Sequence, residues 1–399
     1  MDTIKVNINL GGYVVARRII SLILSLIICF SMPVELFAED KLDIQAKSAI
    51  LMDYNTGEIL YEKNPHDKVP PASISKIMTL LLAMEALESG KIKLSDNVRI
   101  SAHAAGMGGS QLWLEEGESQ TVENLLKAIT IRSANDASVA LAEYIAGSEE
   151  LFVRMMNDKA KALGMKNTNF MNASGLPNEE QYVSAYDVAL MSKELLKHDE
   201  IHKWLTVYMD EILVGKKKDK VQSLVNTNRL IKDYEGATGI KTGSTSKAGY
   251  CLAASAKRGN LQLIAVVMGC ETSKIRFDEA MRLLDFGFAN YDSITVGRKG
   301  DILGKVQVHK GSISSIEVIL ERDSFILISK GDKANISKEI VLPEYIEGPV
   351  EKGQEIGHLI IRVDGSLVDR INLVSKTRVE KAGFKEMFKK TVKSLLIAK

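Results

Sequence analysis

The segment Val69-Pro70-Pro71-Ala72-Ser73-Ile74-Ser75-Lys76 leads from an extended, proline-containing stretch into a predicted helix. Proline disfavours helical geometry in the residue before it, so the first four residues cannot be helical throughout. The apolar run from Ile74 to Leu87 has the composition of a buried helix, which places Ser73 at its N-terminus. Free backbone N–H groups and the helix dipole favour developing negative charge there. Lys76 follows one turn later and shares a helix face with Ser73.

Two further polar strings follow along the chain, and each occurs once. Ser133-Ala134-Asn135 interrupts a helical stretch with short polar residues that prefer turns, and Lys241-Thr242-Gly243 opens a predicted strand. Together the three strings supply a hydroxyl with an amine one turn away, a second hydroxyl beside an amide, and a cation next to a glycine. This is a set of groups for acyl transfer through serine. One S-x-x-K string is a weak signal, whereas three strings in this order are a specific one.

The first string predicts a nucleophile and its base. A serine hydroxyl is a poor nucleophile until a neighbouring base takes its proton, and the nearest base to Ser73 is Lys76. Lys76 must be neutral for this role, and both burial and the cation of Lys241 would lower its pKa. Ser133 is predicted to relay a proton between the lysines and the leaving amine.

The remaining motif residues are predicted to bind substrate. The Asn135 amide offers a donor and an acceptor to a peptide group. Lys241 and Thr242 suit an anionic carboxylate at the substrate end, and Gly243 permits close backbone approach. The nucleophile's own N–H and that of Ser244 are the expected oxyanion donors. This chemistry requires no metal and no cofactor.

Helical patterns cluster in the middle of the first 290 residues, with strand patterns on both sides of them. Asn55-Thr56-Gly57 is a turn signal between two apolar runs, and Gly249–Ala256 with Leu261–Gly269 predicts a second hairpin. A sheet assembled from both pieces, with helices between them, gives an α/β domain with an antiparallel sheet. After Tyr291, short β-branched runs alternate with Gly and Asp turns and predict a small all-β domain.

The first 38 residues predict an export signal. Arg17 and Arg18 precede an apolar run over Ile19–Phe30, and small residues near Ala38 offer a cleavage point. The run is short for a spanning helix, which needs ~20 residues. A cleaved signal is preferred over an uncleaved anchor, and the bulky neighbours of Cys29 disfavour a lipoprotein site. The protein is therefore expected to act outside the cytoplasmic membrane, facing the cell wall.

The last stretch, residues 376–399, predicts a basic amphipathic helix. It carries eight Lys or Arg against two Glu, and apolar residues from Phe384 to Leu396 fall on one helix face. An anionic membrane surface is the expected partner of such a helix on an exported protein. Docking of its apolar stripe on the protein itself is the alternative.

Overall composition excludes two broad classes of protein. With 45% apolar and 26% charged residues, the 399-residue chain is not a disordered protein. A formal net charge of +1 argues against a nucleic-acid binder. The length permits two domains. We expect the α/β domain at residues 39–290 and the all-β domain at 291–375.

Removal of the signal leaves two cysteines, Cys251 and Cys270. In the hairpin register predicted from the turn at Lys257-Arg258-Gly259-Asn260, Cys251 faces residues near Val266. A disulfide is therefore not expected, although a shifted register would reopen the question. Two small apolar core residues are the preferred interpretation.

These motifs, in order and spacing, resemble those of the serine D-alanyl-D-alanine carboxypeptidases, the low-molecular-mass penicillin-binding proteins of peptidase family S11. The likeness includes residues 71–79, 133–137, 239–245 and 248–250, and it covers roughly residues 45 to 375 together with the C-terminal tail. Two positions depart from the family pattern. Ala134 stands where glycine is common, and Thr238 stands where an aspartate often precedes Gly239, but neither removes a group from the chemistry above.

The resemblance implies a penicillin-recognising domain of the serine β-lactamase and transpeptidase fold. It implies that Ser73 is acylated and that Lys76 is the general base. Ser133 and Asn135 would serve proton transfer and substrate alignment, and Lys241-Thr242 would bind the terminal carboxylate. The implied substrate is the peptidoglycan stem peptide ending in D-Ala-D-Ala, from which the terminal D-Ala is removed, and β-lactams would acylate the same serine.

Three rival functions fit the sequence less well. A class A β-lactamase needs a deacylating glutamate, but residues 164–172 contain no acid. A non-catalytic wall-binding protein would have lost motif groups, all of which are present here. A zinc hydrolase is suggested by His198 and His202, four residues apart, but no third ligand lies nearby in the sequence.

Other polar or aromatic features have simpler interpretations. Glu115-Glu116 and Glu149-Glu150 are duplets beside glycine, a pattern typical of solvated turns. Trp113 follows a glycine-rich loop and either flanks the cleft or fills the core.

Overall fold

The computed structural model describes residues 42–332 and 334–384. The predicted export signal and residues 385–399, which include most of the predicted C-terminal helix, lie outside the described residues. Within the described part, no helix is both long enough and apolar enough to cross a membrane.

A five-stranded antiparallel sheet forms the framework of the first α/β region. Its order is β2-β1-β9-β8-β7, so the N-terminal hairpin pairs with strands from the end of the region, as predicted. Strands β3 with β4 and β5 with β6 form two separate ribbons. The strands of this region are β1 (Ser48–Asp53), β2 (Ile59–Lys63), β3 (Asn97–Arg99), β4 (Ser119–Thr121), β5 (Met209–Val214), β6 (Lys220–Val225), β7 (Ala237–Thr245), β8 (Gly249–Arg258) and β9 (Leu261–Cys270).

Helices cover both faces of this sheet. The helices are α1 (Lys76–Glu88), α2 (Ala102–Ala105), α3 (Val122–Lys127), α4 (Asn135–Ala146), α5 (Glu149–Ala162), α6 (Ala185–Leu195), α7 (His202–Leu205), α8 (Leu230–Asp233) and α9 (Ser273–Asn290). A 3-10 turn, Ala72–Ser75, precedes α1, and a π-helical turn, Ala128–Arg132, follows α3. Thr121 caps α3, because its side chain accepts a hydrogen bond from the Asn124 N–H.

Burial explains why these segments adopt their structure. Helix α1 is apolar around most of its circumference, which is typical of a helix enclosed on all sides, and it packs against α4 and α6. Strand β9 is buried at every position, as expected for a strand with helices on both faces. Helix α9 packs on β8 and β9, where Gly287 allows close contact with Leu51 and Leu263. The predicted α/β arrangement with an antiparallel sheet is confirmed.

The second region is all-β, as predicted. A six-stranded sheet has the order β14-β16-β17-β12-β11-β15, and β10 pairs with β13 in a separate ribbon. Apolar side chains from these strands form a core of their own, distinct from the core of the α/β region. The strands are β10 (Tyr291–Gly297), β11 (Ile302–His309), β12 (Ser315–Leu320), β13 (Ser324–Ser329), β14 (Ile336–Val341), β15 (Tyr345–Glu347), β16 (Glu355–Val363) and β17 (Ser366–Ser375).

The segment after β17 corrects the predicted start of the C-terminal helix. Residues 376–382 are not helical; Val379 pairs with Val350, and Lys381 pairs with Gly311. The Val379 side chain is buried, with 1% exposure. Prediction of a helix from residue 376 is therefore wrong for this segment. The apolar stripe that predicted the helix begins only at Phe384, and before it the β region supplies backbone partners and an apolar site for Val379.

The hairpin of β8 and β9 corrects the predicted cysteine register. Arg258 pairs with Leu261 across a two-residue turn, and a bulge farther along brings Tyr250 opposite Cys270. Val266 pairs with Ala253, so the predicted pairing near Cys251 is wrong. Both cysteines are nevertheless buried and free, as expected. Burial raises the pKa of Cys251 to about 11 and that of Cys270 to about 12.

A truncation of Val379 tests whether the 376–382 segment belongs to the β region. Val379→Ala removes two buried methyl groups and is expected to lower the free energy of unfolding by about 2 kcal/mol. Val341→Ala is the matched control, because Val341 on β14 is 41% exposed. Urea unfolding measures both variants, and equal, near-zero effects would show that Val379 is not packed.

Candidate active site

Ser73 lies in the 3-10 turn that leads directly into α1. Strand β7 passes beside this turn at Gly243. A Cβ on Gly243 would lie 3.0 Å from the backbone nitrogen atoms of both Ser73 and Ile74. The glycine is therefore needed because the nucleophile's own turn approaches it, a reason that the sequence did not reveal.

Lys76 is completely buried beneath this turn. Its Nζ lies 3.0 Å from Ser73 Oγ and 2.6 Å from Asn135 Oδ1, and it also donates to the carbonyl oxygen of Ser174. Asn135 and Ser174 thus hold the amine in place on the side away from the serine. A neutral amine held in this way directs its lone pair at the Ser73 hydroxyl.

The electrostatics of this buried amine favour its neutral form. Burial lowers the pKa of Lys76 well below its usual range, and the cation of Lys241 lowers it further, against a smaller opposing effect of Asp136. Burial also lowers the pKa of Lys241 to about 7, with a contribution from the Arg276 guanidinium. The Lys241 charge thus lowers the pKa of Lys76 in the structure, as the sequence predicted.

Ser133 lies on a tight connection between the π-helical turn and α4, and Asn135 is the first residue of α4. Ser133 adopts a left-handed conformation with φ +64, unusual for a residue other than glycine. Its Oγ is buried and has no hydrogen-bond partner among the described residues. Both ends of the Asn135 amide make hydrogen bonds, because Oδ1 accepts from Lys76 and Nδ2 donates to the Gly108 carbonyl at 2.7 Å. Its amide thus positions the lysine in this structure.

A loop that sequence reasoning missed closes the site from the other side. Thr79 on α1 donates to the Ala173 carbonyl at 2.7 Å, and the adjacent Ser174 carbonyl accepts from Lys76. Asn172 Oδ1 organises the turn by accepting from the backbone N–H groups of Gly175 and Leu176. A backbone carbonyl carries no residue-type signal in a sequence, and the Asn-x-x-Gly turn pattern at residues 172–175 is the one signal that could have pointed to this loop.

The far end of the site combines hydroxyls with a guanidinium. Thr242 and Thr227 share a hydrogen bond of 2.7 Å between their hydroxyl oxygens. Arg276 on α9 donates to the Gly243 carbonyl at 3.3 Å, and it lines the cleft. The Lys241 ammonium lies below the surface and donates to the Thr242 carbonyl at 3.1 Å. Sequence analysis missed Arg276 because it lies far along the chain and outside any of the three strings.

These residues surround one cleft of about 360 Å³. No carboxylate lines it within the described part of the chain, so the structure shows no counterpart of the class A β-lactamase glutamate. The predicted site residues that line it are Ser73, Ser133, Asn135, Thr242, Gly243 and Ser244, while Lys76 and Lys241 lie buried behind them.

The two histidines of the zinc alternative have different partners. His198 Nδ1 lies 2.6 Å from Glu88 Oε1, and His202 Nε2 lies 2.9 Å from the Leu196 carbonyl oxygen. Their spacing in sequence therefore serves two separate hydrogen bonds and gives the zinc hydrolase no support.

Two other sequence interpretations change in the structure. Trp113 is 66% exposed, so the alternative of a core aromatic is wrong. Glu149 is not a solvated turn residue, because its carboxylate accepts from the Ala173 N–H at 2.9 Å and contacts His103 at 2.7 Å. It thereby helps hold the loop that carries Ser174. Glu115, by contrast, forms an exposed ion pair with Lys220.

Gly175 provides a test of how the loop fits against the nucleophile. It has φ +80, and a methyl group there would overlap the Ala72 carbonyl oxygen. We expect Gly175→Ala to cost about 3 kcal/mol or more, combining left-handed strain with overpacking, and to slow acylation of Ser73 by penicillin. Gly164→Ala is the matched control, since Gly164 has φ +76 with nothing nearby. Urea unfolding and labelling rates measure both, and equal losses would refute the steric explanation.

Comparison with protein families gives two matches along the chain. The family described as D-alanyl-D-alanine carboxypeptidase matches residues 35–272. The family described as Penicillin-binding protein 5, C-terminal domain, matches residues 291–381. The second match includes the non-helical segment after β17, up to Lys381, which pairs with Gly311.

Individual relatives agree with these families. D-alanyl-D-alanine carboxypeptidase DacF of Bacillus subtilis is 49% identical over 349 residues, covering 87% of this chain and 89% of that protein. DacA of Escherichia coli is 34% identical over 349 residues, covering 86% of this chain and 85% of that protein.

Among solved structures, penicillin binding protein 5 from Haemophilus influenzae matches with a TM-score of 0.68 and 34% identity, covering 85% of this chain and 98% of that chain. PBP3 from Streptococcus pneumoniae, a peptidoglycan synthesis regulatory factor, matches with a TM-score of 0.68 and 29% identity, covering 85% of this chain and 100% of that chain. With a family match over more than half of its length, this chain belongs to the D-alanyl-D-alanine carboxypeptidases of peptidase family S11.

Proposed function

We propose that this protein removes the terminal D-Ala from peptidoglycan stem peptides through an acyl-enzyme on Ser73. The observation that carries the proposal is the 3.0 Å contact between Ser73 Oγ and the buried Nζ of Lys76. A hydroxyl beside an amine with a lowered pKa is an activated nucleophile. Family membership supports the reaction, and the cleft geometry supports the roles given to individual residues.

In the acylation step, Lys76 takes the proton of Ser73 as Oγ attacks the carbonyl carbon of the penultimate D-Ala. Negative charge develops on the carbonyl oxygen, for which the N–H groups of Ser73 and Ser244 are the proposed donors. The close packing of Gly243 against the Ser73 turn fixes these two backbone segments relative to each other. The donors are thus oriented before substrate binds.

Collapse of the tetrahedral intermediate requires a proton for the departing amine. We assign its delivery to Ser133, whose buried hydroxyl lines the cleft and makes no other hydrogen bond among the described residues. The proton that Lys76 accepted is passed through Ser133 to the nitrogen of the terminal D-Ala. The C–N bond breaks, and free D-Ala leaves.

We assign the substrate carboxylate to the end of the cleft that holds Thr242, Thr227 and Arg276. Hydroxyl donors and a guanidinium suit a carboxylate, and the buried cation of Lys241 adds positive potential from below. This assignment differs from direct binding by Lys241, which is 1% exposed and is not among the residues that line the cleft. Asn135 is assigned to holding Lys76 and, after rearrangement, to aligning the substrate amide.

Deacylation uses the same base. A water molecule replaces the leaving amine, and Lys76 takes its proton as the water oxygen attacks the ester carbonyl. When the bond from the carbonyl carbon to Ser73 Oγ breaks, Lys76 returns that proton to Oγ, which restores the free hydroxyl and the neutral amine. Since no carboxylate lines the cleft among the described residues, the penicilloyl ester formed by a β-lactam is expected to persist. β-Lactams are therefore proposed inhibitors.

We place the protein on the outer face of the cytoplasmic membrane. The N-terminal export signal supports this location, and residues 376–399 carry a net charge of +6 suited to an anionic membrane surface. We propose a peptidase domain over residues 39–290, a β domain from residue 291, and a membrane-associating helix in the C-terminal tail.

Replacement of the nucleophile tests the proposal most directly. Ser73→Ala is expected to abolish covalent labelling by fluorescent penicillin, because no oxygen remains to form the ester. Ser75→Ala is the matched control in the same turn, since its buried hydroxyl has no partner among the described residues. Intact-protein mass spectrometry counts the adducts.

Labelling of Ser73→Ala at the native rate would contradict the acyl-Ser73 mechanism. Rapid turnover of nitrocefin by the native protein would favour a β-lactamase, whereas slow loss of bound penicillin is the result that we expect.

The pH dependence of acylation tests the coupling between the two lysines. Acylation needs neutral Lys76, so its rate rises with pH as Lys76 loses its proton. Lys241→Met removes a cation that lowers the pKa of Lys76. That pKa therefore rises, and the acidic limb of the pH–rate profile for benzylpenicillin moves to higher pH.

Lys257→Met is the control for this shift, because Lys257 is exposed at the tip of the β8–β9 hairpin. An acidic limb that stays in place in Lys241→Met would show that the two lysines are not coupled.

A further inference from the structure

A second cavity, of about 140 Å³, opens beside the catalytic cleft. The two share Gly175 and Thr245 in their walls, so the cavity adjoins the cleft. The cavity is lined by Pro70, Pro71, Ala72, Gly175, Pro177, Asn178, Glu179, Gln181, Thr245 and Lys247.

The direction of the substrate places its acyl side at this cavity. The proposed carboxylate site at Thr242 and Arg276 lies at one end of the cleft, and β7 runs from there past Ser244 to Thr245. Strand residues advance by about 3.3 Å each, close to the spacing of an extended peptide. The residue that precedes the acylated D-Ala therefore lies beside Thr245, with its side chain within reach of the cavity.

Two opposite charges stand at the cavity rim. The Glu179 carboxylate lies 3.1 Å from Lys247 Nζ, and the two side chains are 91% and 56% exposed. They are the charged residues among those that line the cavity in the described structure. Glu179 lies on the loop that carries Ser174, and Lys247 lies on the turn between β7 and β8. The ion pair therefore links two separate walls of the cavity.

We propose that this cavity binds the side chain of the residue before the acylated D-Ala and that Glu179 and Lys247 select a side chain ending in both an ammonium and a carboxylate. A diaminopimelate-type residue has this zwitterionic end. The inference rests on the proposed function, because it takes the acyl side of the stem peptide to lie toward Thr245.

Charge complementarity favours the zwitterion over the other chemical classes. An ammonium alone, as in lysine, pairs with Glu179 but meets the like charge of Lys247. A neutral end leaves the existing Glu179–Lys247 pair intact and gains no charged partner. A zwitterion replaces the Glu179–Lys247 pair with two ion pairs, one between its ammonium and Glu179 and one between its carboxylate and Lys247. Because both protein side chains are largely exposed, little desolvation opposes this replacement.

The test compares three N-acetylated tripeptides of the form X-D-Ala-D-Ala, with meso-diaminopimelate, L-lysine or Nε-acetyl-L-lysine as X. Release of D-Ala gives kcat/KM for the full-length protein, and titration with fluorescent penicillin first counts the active sites in each preparation. We expect the diaminopimelate peptide to be preferred by about threefold over each of the others, the effect of one additional exposed ion pair.

Two variants separate charge recognition from a structural role. Lys247→Gln is expected to lower kcat/KM about threefold for the diaminopimelate peptide and to raise it for the lysine peptide, because a repulsive charge is lost. Glu179→Gln is expected to lower kcat/KM for both. Glu180→Gln is the matched control, since this neighbouring exposed carboxylate does not line the cavity.

The outcomes distinguish this inference from the proposed function. Equal kcat/KM for the three peptides in protein that is fully labelled by penicillin overturns the inference alone. A parallel fall for all peptides in Lys247→Gln also overturns it, because that pattern reports a structural role. Absence of both labelling and D-Ala release overturns the proposed function as well.

Discussion

The site depends on one constraint: a lysine amine buried against a serine hydroxyl. An isolated charged ammonium is expensive to bury, so the protein either neutralises it or surrounds it with acceptors. Here both occur, because burial and Lys241 lower the pKa of Lys76 while Asn135 and Ser174 accept its hydrogen atoms. Three segments far apart in the chain must therefore meet at one nitrogen atom. The helices and the sheet of the α/β region provide the rigid frame for that meeting.

The same constraint explains two glycines on opposite sides of the nucleophile. Gly175 lies against the Ala72 carbonyl, and Gly243 lies against the backbone nitrogen of Ser73. The 3-10 turn is thus held between a loop and a strand at distances that admit no side chain. Such packing fixes the direction of the Ser73 backbone N–H before substrate binds, and a preorganised donor stabilises developing charge without the cost of reorientation.

The order of the sheet links this chemistry to substrate binding. Strand β7 lies at the edge of its sheet, so one side of it has no strand partner among the described residues, and this strand borders the cleft. Groups suited to the carboxylate, the oxyanion and the acyl side follow one another along this edge, from Thr242 through Ser244 to Thr245. The proposed zwitterion site at Glu179 and Lys247 continues this series. A single strand therefore sets the spacing of the whole substrate path, while loops from other segments supply the specificity.

The sequence by itself determined the residue types of the catalytic set and the elements that carry them. An i, i+3 spacing on a helix brings Ser73 and Lys76 together whatever the rest of the fold, and turn and periodicity signals identified the hairpins and the all-β region. Only the tertiary structure decided which groups complete the site. The Ser174 carbonyl has no signature in a sequence, and Arg276 comes from a helix that follows the last strand of the sheet. Val379 forms an isolated bridge with Val350 at a position where a helix was predicted. The physical reason is that local geometry follows from neighbouring residues, whereas backbone acceptors and pairings between distant segments depend on how the whole chain packs.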